Sequence, residues 1–249
     1  IGSSENEKRC WQLPFLAVKA CRNIIMENDV RLGIIGLGNM GNFYARAILD
    51  GKVPGMCLSA VCDMDKDRIA AFEGVDQFTD TDELFKSGSV DAVHIATPHY
   101  FHTTLGIAAL EAGLHVLVDK PISVHKADCE RLIAAHTNKD QVFSGMFNQR
   151  TDPHFLKLKS LIDNGELGQI HRIQWTVTDW FRTEAYYGSG AWRATWKGEG
   201  GGVLLNQCPH QLDLWQWLFG MPNEIYSQCD LGRFHEIEVE DAVTALLSY

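Results

Sequence analysis

The chain has 249 residues, 45% of them hydrophobic and 22% charged, with a formal charge of −10 at pH 7. That length allows one large domain or two ordinary ones, and the composition excludes a disordered chain, a collagen and a coiled coil. The acidic balance, with no Lys/Arg run, speaks against nucleic acid or an anionic membrane as a partner.

No apolar run reaches the length of a transmembrane helix. The seven cysteines include no CxxC pair and no zinc spacing. Reduced thiols in a cytoplasmic protein, with no metal centre, are the expectation. The chain starts at Ile1 and stops at Tyr249 inside an apolar run, so a fragment is expected. Gln12, Pro14 and Lys19 interrupt the apolar stretch after Lys8-Arg9, which argues against a signal peptide. Residues 1–28 read as an N-terminal extension, with Met26 as the expected natural start.

Val30 to Ile35 reads as a buried strand. GLGNMG follows, then a helix from Phe43 to Leu49 closed by Gly51. Met56 to Cys62 is a second strand and Asp65 to Phe72 a helix. Thr81 is the expected N-cap of a helix to Ser87. Ala92 to Ala96 is a strand, His102 to Glu111 a helix, His115 to Val118 a strand. Ser123 is expected to cap a helix through Ala135, before a strand at Gln141 to Ser144. Strands and helices alternate, the pattern of a doubly wound parallel sheet.

The pattern changes beyond residue 149. A helix starts at Asp152-Pro153 and ends at Gly165. Ile170 to Trp180 alternates apolar and polar residues, as in a half-exposed strand of an antiparallel sheet. Val203 to Phe219 reads as a helix stopped by Gly220, and Ile225 to Leu231 and Ala242 to Tyr249 as strands. The expected division is 29–149, a dinucleotide-binding α/β domain, and 150–249, an α+β domain with a mostly antiparallel sheet, cut short at its C-terminus.

The spacing of Gly36, Gly38 and Gly41 after a strand and at a helix start has specific chemistry. Gly36 permits the turn, Gly38 lets backbone approach a pyrophosphate, and Gly41 lets helix and strand pack closely. Leu37, Asn39 and Met40 complete the loop, and the helix start offers free N–H groups. Asp63 ends the second strand and suits the ribose hydroxyls. Its charge repels a 2′-phosphate and no Arg follows within four residues, so NAD is favoured over NADP. The alternatives are a ligand-free glycine turn and, for Asp63, a helix cap.

Three further segments stand out. Thr97-Pro98 lies at a strand's C-terminal end, where such sheets bind ligands. His99 and His102 follow as HxxH, and helix-start polar residues are a better reading than metal ligands. Asp119-Lys120-Pro121 again follows a strand, with Lys120 expected over the cleft or as a solvated surface lysine, and its X-Pro bond open to cis. In GGGVLLNQCPHQLDLWQWLFG, residues Asn206, His210, Asp213 and Trp217 fall on one helical face. His210 and Asp213 read there as a site or as a buried structural pair. Pro209 should bend the helix just before His210.

In order, GLGNMG, the segment Ala96 to His102, AGLHVLVDKP at 112–121 and GGGVLLNQCPHQLDLWQWLFG at 200–220 make the chain resemble the Gfo/Idh/MocA oxidoreductase family from Val30 to Tyr249. The resemblance implies a Rossmann domain followed by a domain with a large open sheet that often mediates dimers or tetramers. It implies Lys120 as the catalytic lysine, His210 as acid/base and Asn206 where many members carry an aspartate. It places Thr97, Pro98, His102, Asp119 and Lys120 with the glycine loop and Asp63 around the cofactor. Asp119 replaces the family's usual Glu. Asn206 cannot ionise, which shifts the proton path onto His210.

The implied reaction is alcohol oxidation, with His210 taking the hydroxyl proton, Lys120 stabilising the alkoxide and hydride passing to NAD. Six of the seven tryptophans lie after residue 150. Trp180, Arg193 and Trp196, in a glycine-rich stretch, suit a sugar, polyol or glycoside, with Lys120, Asn206 and His210 completing that site. A hydrophobic cover or subunit contact is the other reading of the stretch. An NAD-dependent glycosidase of the same fold and a non-catalytic NAD-binding sugar sensor are the alternative functions.

Overall fold

The structure is a computed structural model that describes residues 29–178 and 181–249. The expectations for residues 1–28, including Met26, and for Trp180 lie outside the described residues.

The first half is a parallel sheet. Its strands are β1 (Val30–Ile35), β2 (Met56–Cys62), β3 (Asp76–Phe78), β4 (Ala92–Ile95), β5 (His115–Val118) and β6 (Phe143–Gly145). They lie in the order β3-β2-β1-β4-β5-β6, each neighbour pair parallel. This is the doubly wound order, in which strand direction of growth reverses between β1 and β4 and opens a crevice at the strands' C-terminal ends.

Apolar residues fall on both faces of the sheet because successive side chains alternate. Leu32, Ile34, Leu58 and Val61 pack with Ala45 and Ile48 of α1 (Asn39–Leu49) and Ile69 of α2 (Lys66–Ala70). Ile35, Ala60, Cys62, Val93 and Ile95 pack with Leu84 of α3 (Thr81–Lys86), Ala109 and Leu110 of α4 (His102–Glu111) and Leu132 of α5 (Lys126–Ala135). Near-continuous apolar strands follow from this double coverage.

Two helix starts differ from expectation. Asp80, not Thr81, caps α3, its carboxylate accepting the N–H groups of Asp82 and Glu83. A carboxylate is the stronger acceptor, and Thr81 becomes the first helical residue. Helix α5 begins at Lys126, because the Ser123 hydroxyl is already bonded to Thr103 Oγ1 at 2.7 Å.

A 3-10 turn at Asn148–Thr151 leads into α6 (Pro153–Asp163), capped by Asp152 with Pro153 in its first turn. The strand expected from Ile170 is not formed: residues 170–178 are irregular, with no ladder partner among the described residues. Alternation supplies a face to bury, but a strand exists only where a neighbour takes its backbone hydrogen bonds. A short helix α7 (Glu184–Tyr187) follows.

The helix expected over Val203 to Phe219 is two pieces. Val203–Gln207 is a π-helical turn, and α8 (Pro209–Phe219) starts afresh after Cys208. Pro209 carries no N–H, so the break falls where the chain loses a donor. Gly220, at φ 83, ends α8. Strands β7 (Glu224–Leu231) and β8 (Glu240–Ser248) form an antiparallel pair.

Candidate active site

The glycine loop closes on itself tightly. A Cβ on Gly41 would lie 1.8 Å from the Gly36 carbonyl oxygen, and one on Gly36, at φ 89, would lie 2.9 Å from the Ala96 carbonyl. Gly38 faces open space, with nothing within 4 Å of where a Cβ would stand. Gly38 is also the N-cap of α1 and has no side chain to satisfy the helix's first N–H groups. Those donors and the helix dipole are available to an anion. Asn39 and Met40 are exposed at this end and Leu37 is buried under it.

Asp63 stands at the end of β2. Its Oδ2 accepts the Leu37 N–H at 2.6 Å and its Oδ1 the Asp65 N–H at 2.9 Å. It therefore braces the loop, while Asp65 is the residue that caps α2. Arg68, five residues on, sits 3.6 Å from Asp63 and 3.2 Å from Asp65. It lines a cavity of about 310 Å³ with Leu37, Gly38, Asn39 and Asn42. The sequence reading looked for an arginine within four residues and so passed over this one.

Thr97-Pro98 leaves β4 beside the loop, and Thr97 Oγ1 is buried with no partner among the described residues. His102 is fully buried at the start of α4. Its Nδ1 meets the Pro121 carbonyl at 2.7 Å and its Nε2 the Thr97 carbonyl at 2.8 Å. Both ring nitrogens are thus engaged, tying the turn after β4 to the turn after β5. His99 is buried as well, with Nδ1 2.9 Å from the Glu199 carbonyl, and burial pushes its imidazole down to about 4. Neither ring has a nitrogen set toward a shared third ligand, and no group of metal-ligating side chains occurs among the described residues.

Asp119-Lys120-Pro121 is the turn after β5, and its Lys120-Pro121 bond is cis. Lys120 reaches across to the π-helical turn. Its Nζ donates to the Asn206 carbonyl oxygen at 2.5 Å and stands 3.4 Å from Asn206 Oδ1. Burial lowers the proton affinity of Lys120, as do Arg182 and Arg193, while Asp119 and Glu199 oppose them. Burial likewise pushes the Asp119 carboxyl up.

In the glycine run 200–202, Gly200, at φ 87, lies against Val124 and Gly202 against β8. A Cβ on Gly202 would fall 1.9 Å from the Glu240 carbonyl oxygen. The buried Glu240 carboxylate accepts the N–H groups of Gly202 and Leu204, fixing the start of the π-helical turn that carries Asn206. His210 follows in the first turn of α8. Its ring meets Phe147 edge-on, and its Nδ1 is buried with no partner among the described residues. Burial lowers its basicity, as does Lys120, with Asp213 acting the other way.

Lys120 and Asn206 are therefore brought together, while the break at Cys208 separates Asn206 from α8, which carries His210, Asp213 and Trp217. Asp213 receives a two-pronged hydrogen bond from Arg150, Nε at 2.7 Å and Nη2 at 2.5 Å, so it is not paired with His210. Trp217 lies under Arg150 and Lys159, and Trp175 packs against Phe155 and Trp215.

Arg193 lies beside the site, over the rings of Tyr186 and Trp192 at 4.4 and 4.5 Å. Trp196 is 48% exposed, held by its N–H to Glu238 and its carbonyl to Tyr100. Two contacts to Asn206 were not foreseen in the sequence, where Tyr186 stood only among the aromatics suited to a sugar and Glu199 was not singled out. Tyr186 Oη accepts from Arg193 Nη1 at 2.8 Å and from Asn206 Nδ2 at 3.1 Å. Glu199 is 1% exposed and accepts from Asn206 Nδ2 and, at 2.7 Å, from the Ala194 N–H.

Sheet order, glycine loop and cleft define a dinucleotide-binding Rossmann protein, and the comparisons place it more closely. Residues 30–147 match the Gfo/Idh/MocA oxidoreductase family with its NAD-binding Rossmann fold, and residues 155–249 match that family's C-terminal domain. The chain belongs to the Gfo/Idh/MocA oxidoreductase family. It is 31% identical to the uncharacterized oxidoreductase YdgJ of Escherichia coli over 90% of this chain and 63% of the relative. It is 30% identical to the myo-inositol 2-dehydrogenase of Thermotoga maritima over 77% of this chain and 55% of that protein.

Among solved structures it resembles the WlbA dehydrogenase of Bordetella pertussis, in complex with NADH and UDP-GlcNAcA, with a TM-score of 0.77 and 27% identity over 88% of this chain and 67% of that one. It also resembles the scyllo-inositol dehydrogenase of Lactobacillus casei, with NAD(H) and scyllo-inositol, with a TM-score of 0.71 and 26% identity over 88% of this chain and 66% of that one. The chain spans 55–63% of the length of three curated relatives it matches. No helix of the described residues is long and apolar enough to cross a membrane.

Proposed function

We propose that this protein is an NAD-dependent dehydrogenase that oxidises a hydroxyl group of a sugar, polyol or glycoside. The observation that carries this reading is the half-buried Lys120 ammonium at the end of β5, bonded to Asn206 of the π-helical turn.

The residues present fit a dinucleotide. Open space over Gly38, uncapped N–H groups at the start of α1 and the orphaned Thr97 hydroxyl all suit its phosphates and ribose. Leu37, Asn39 and Met40 would line the loop, and Asp63 would receive a ribose hydroxyl. Asp119 and Lys120 would border the nicotinamide end, with His102 holding their turn in place. NAD supplies a hydride acceptor when bound.

The chain's own groups then divide the work. His210, kept neutral by burial, takes the hydroxyl proton. The Lys120 ammonium stabilises the charge that develops on the substrate oxygen in a site where water screens little. Asn206 orients that hydroxyl by hydrogen bonding alone. Arg193 and Trp196 are candidates for the rest of the substrate, and the inositol and nucleotide-sugar ligands of the similar proteins support that substrate class. We assign the division at residue 149 to cofactor and substrate halves, a cytoplasmic location to the whole, and a homo-oligomeric state to the complete protein.

Replacing Lys120 by Ala tests the assignment. Turnover should fall by about 10²–10⁴-fold while NAD binding, followed by fluorescence, persists. Full turnover in that variant would contradict it.

A further inference from the structure

Glu199 is a buried carboxylate that the mechanism above does not use. It lies between the aromatic loop and the glycine run, and both of its oxygens accept N–H groups. Oε2 takes the Ala194 amide at 2.7 Å, at a residue held at φ 57, and Oε1 takes Asn206 Nδ2. Arg193 Nη1 stands 3.9 Å from Oε1.

The consequence falls on Asn206. An amide has one accepting and one donating end, and their assignment follows from the partners. Glu199 can only accept when ionised, and Tyr186 Oη takes the same NH₂. The donating end of Asn206 is therefore fixed toward Glu199, and Oδ1 is left facing Lys120 Nζ at 3.4 Å. Reversed, Asn206 would present its N–H groups to an ammonium.

We propose that Glu199 is a positioning residue for Lys120: it orients the Asn206 amide so that an oxygen faces the ammonium, and its carboxylate supplies, one side chain away, the negative charge that Asn206 lacks. This inference rests on the reading of Lys120 as the group that meets substrate oxygen. Lys120 also faces Asp119 on its own turn and the cations Arg182 and Arg193 across the cleft, so Glu199 and Asp119 together balance two positive neighbours.

Glu199→Gln tests this with little change of shape. The Gln oxygen can keep the Ala194 bond, and its NH₂ then meets the NH₂ of Asn206, driving that amide to flip. Adding Asn206→Asp exchanges amide and carboxylate between the two positions, and an acceptor again faces Lys120 whichever way residue 206 turns.

In the full-length protein, kcat should fall roughly 10- to 100-fold in the Glu199→Gln variant with the KM for NAD unchanged, and most of that loss should return in the double variant. A second readout needs no substrate. The rate at which acetic anhydride acylates Lys120, read by mass spectrometry, should rise in Glu199→Gln, because a less stabilised ammonium gives more free amine, and fall back in the double variant. If acylation follows this cycle but the unmodified protein oxidises no sugar or polyol, the positioning role stands and the proposed reaction fails. If Glu199→Gln melts at the normal temperature and leaves Lys120 acylation unchanged, or if the double variant is no better than the single one in both readouts, the proposal is overturned.

Discussion

Burial suits His210 to the role of base near neutral pH proposed for it. Its proton affinity is pushed below the ordinary imidazole range, first by desolvation and then by Lys120. The sign follows: an imidazolium cannot accept a proton, so kcat/KM for oxidation should fall as pH drops through that lowered value. The acidic limb should lie below about 6.5, and His210→Asn should remove it. A limb unchanged in that variant would assign it to another group. At this scale the sequence was legible where chemistry follows from residue type plus a strand end. Gly36, Gly38, Gly41, Asp63 and Lys120 stand at the strand ends and in the turn where the sequence put them. The contacts of Glu199 and Tyr186 to Asn206 were not legible, because they come from a side chain 7 or 20 residues away meeting them in space. Nor was the partner of Asp213, which turned out to be Arg150 from a turn 63 residues earlier.

Elements were legible where apolar periodicity was strong and two-sided, as in β1, β2, β4 and β5. The three-residue β3 and the irregular stretch from Ile170 were not, since a strand is decided by its neighbours as much as by its own pattern. The helix with Pro209 shows the same limit. The proline announced a bend, but the π-helical turn before it depends on Glu240 of β8 holding the N–H groups of Gly202 and Leu204. Two predictions belong here. Gly41→Ala cannot be relieved by a side-chain movement, because the clash is with the backbone oxygen of Gly36. It should lower stability by about 1–3 kcal/mol in thermal melts and weaken NAD binding in titrations. Glu240→Gln should lower the melting temperature, since it weakens two buried N–H bonds at the start of that turn, and a melt identical to the unmodified protein would show the cap to be idle.

Across the molecule the two halves differ in how their sheets are covered. The parallel sheet is packed on both faces. The β7–β8 pair packs on the π-helical turn through Glu240 and is exposed further along: Ile225, Tyr226 and Leu246 are 60%, 65% and 69% exposed, and Tyr226 and Leu246 are directly opposite each other. A two-stranded ribbon is marginal in water without a covering layer.

The central claim, an alcohol oxidation at Lys120 and His210, is tested most directly by NADH absorbance. The full-length protein is mixed with NAD and a panel of inositols, sugars and glycosides, beside its Lys120→Ala variant. The account predicts NADH formation with at least one compound and its loss in the variant. NAD binding without NADH from any compound, or equal NADH from both proteins, would contradict it.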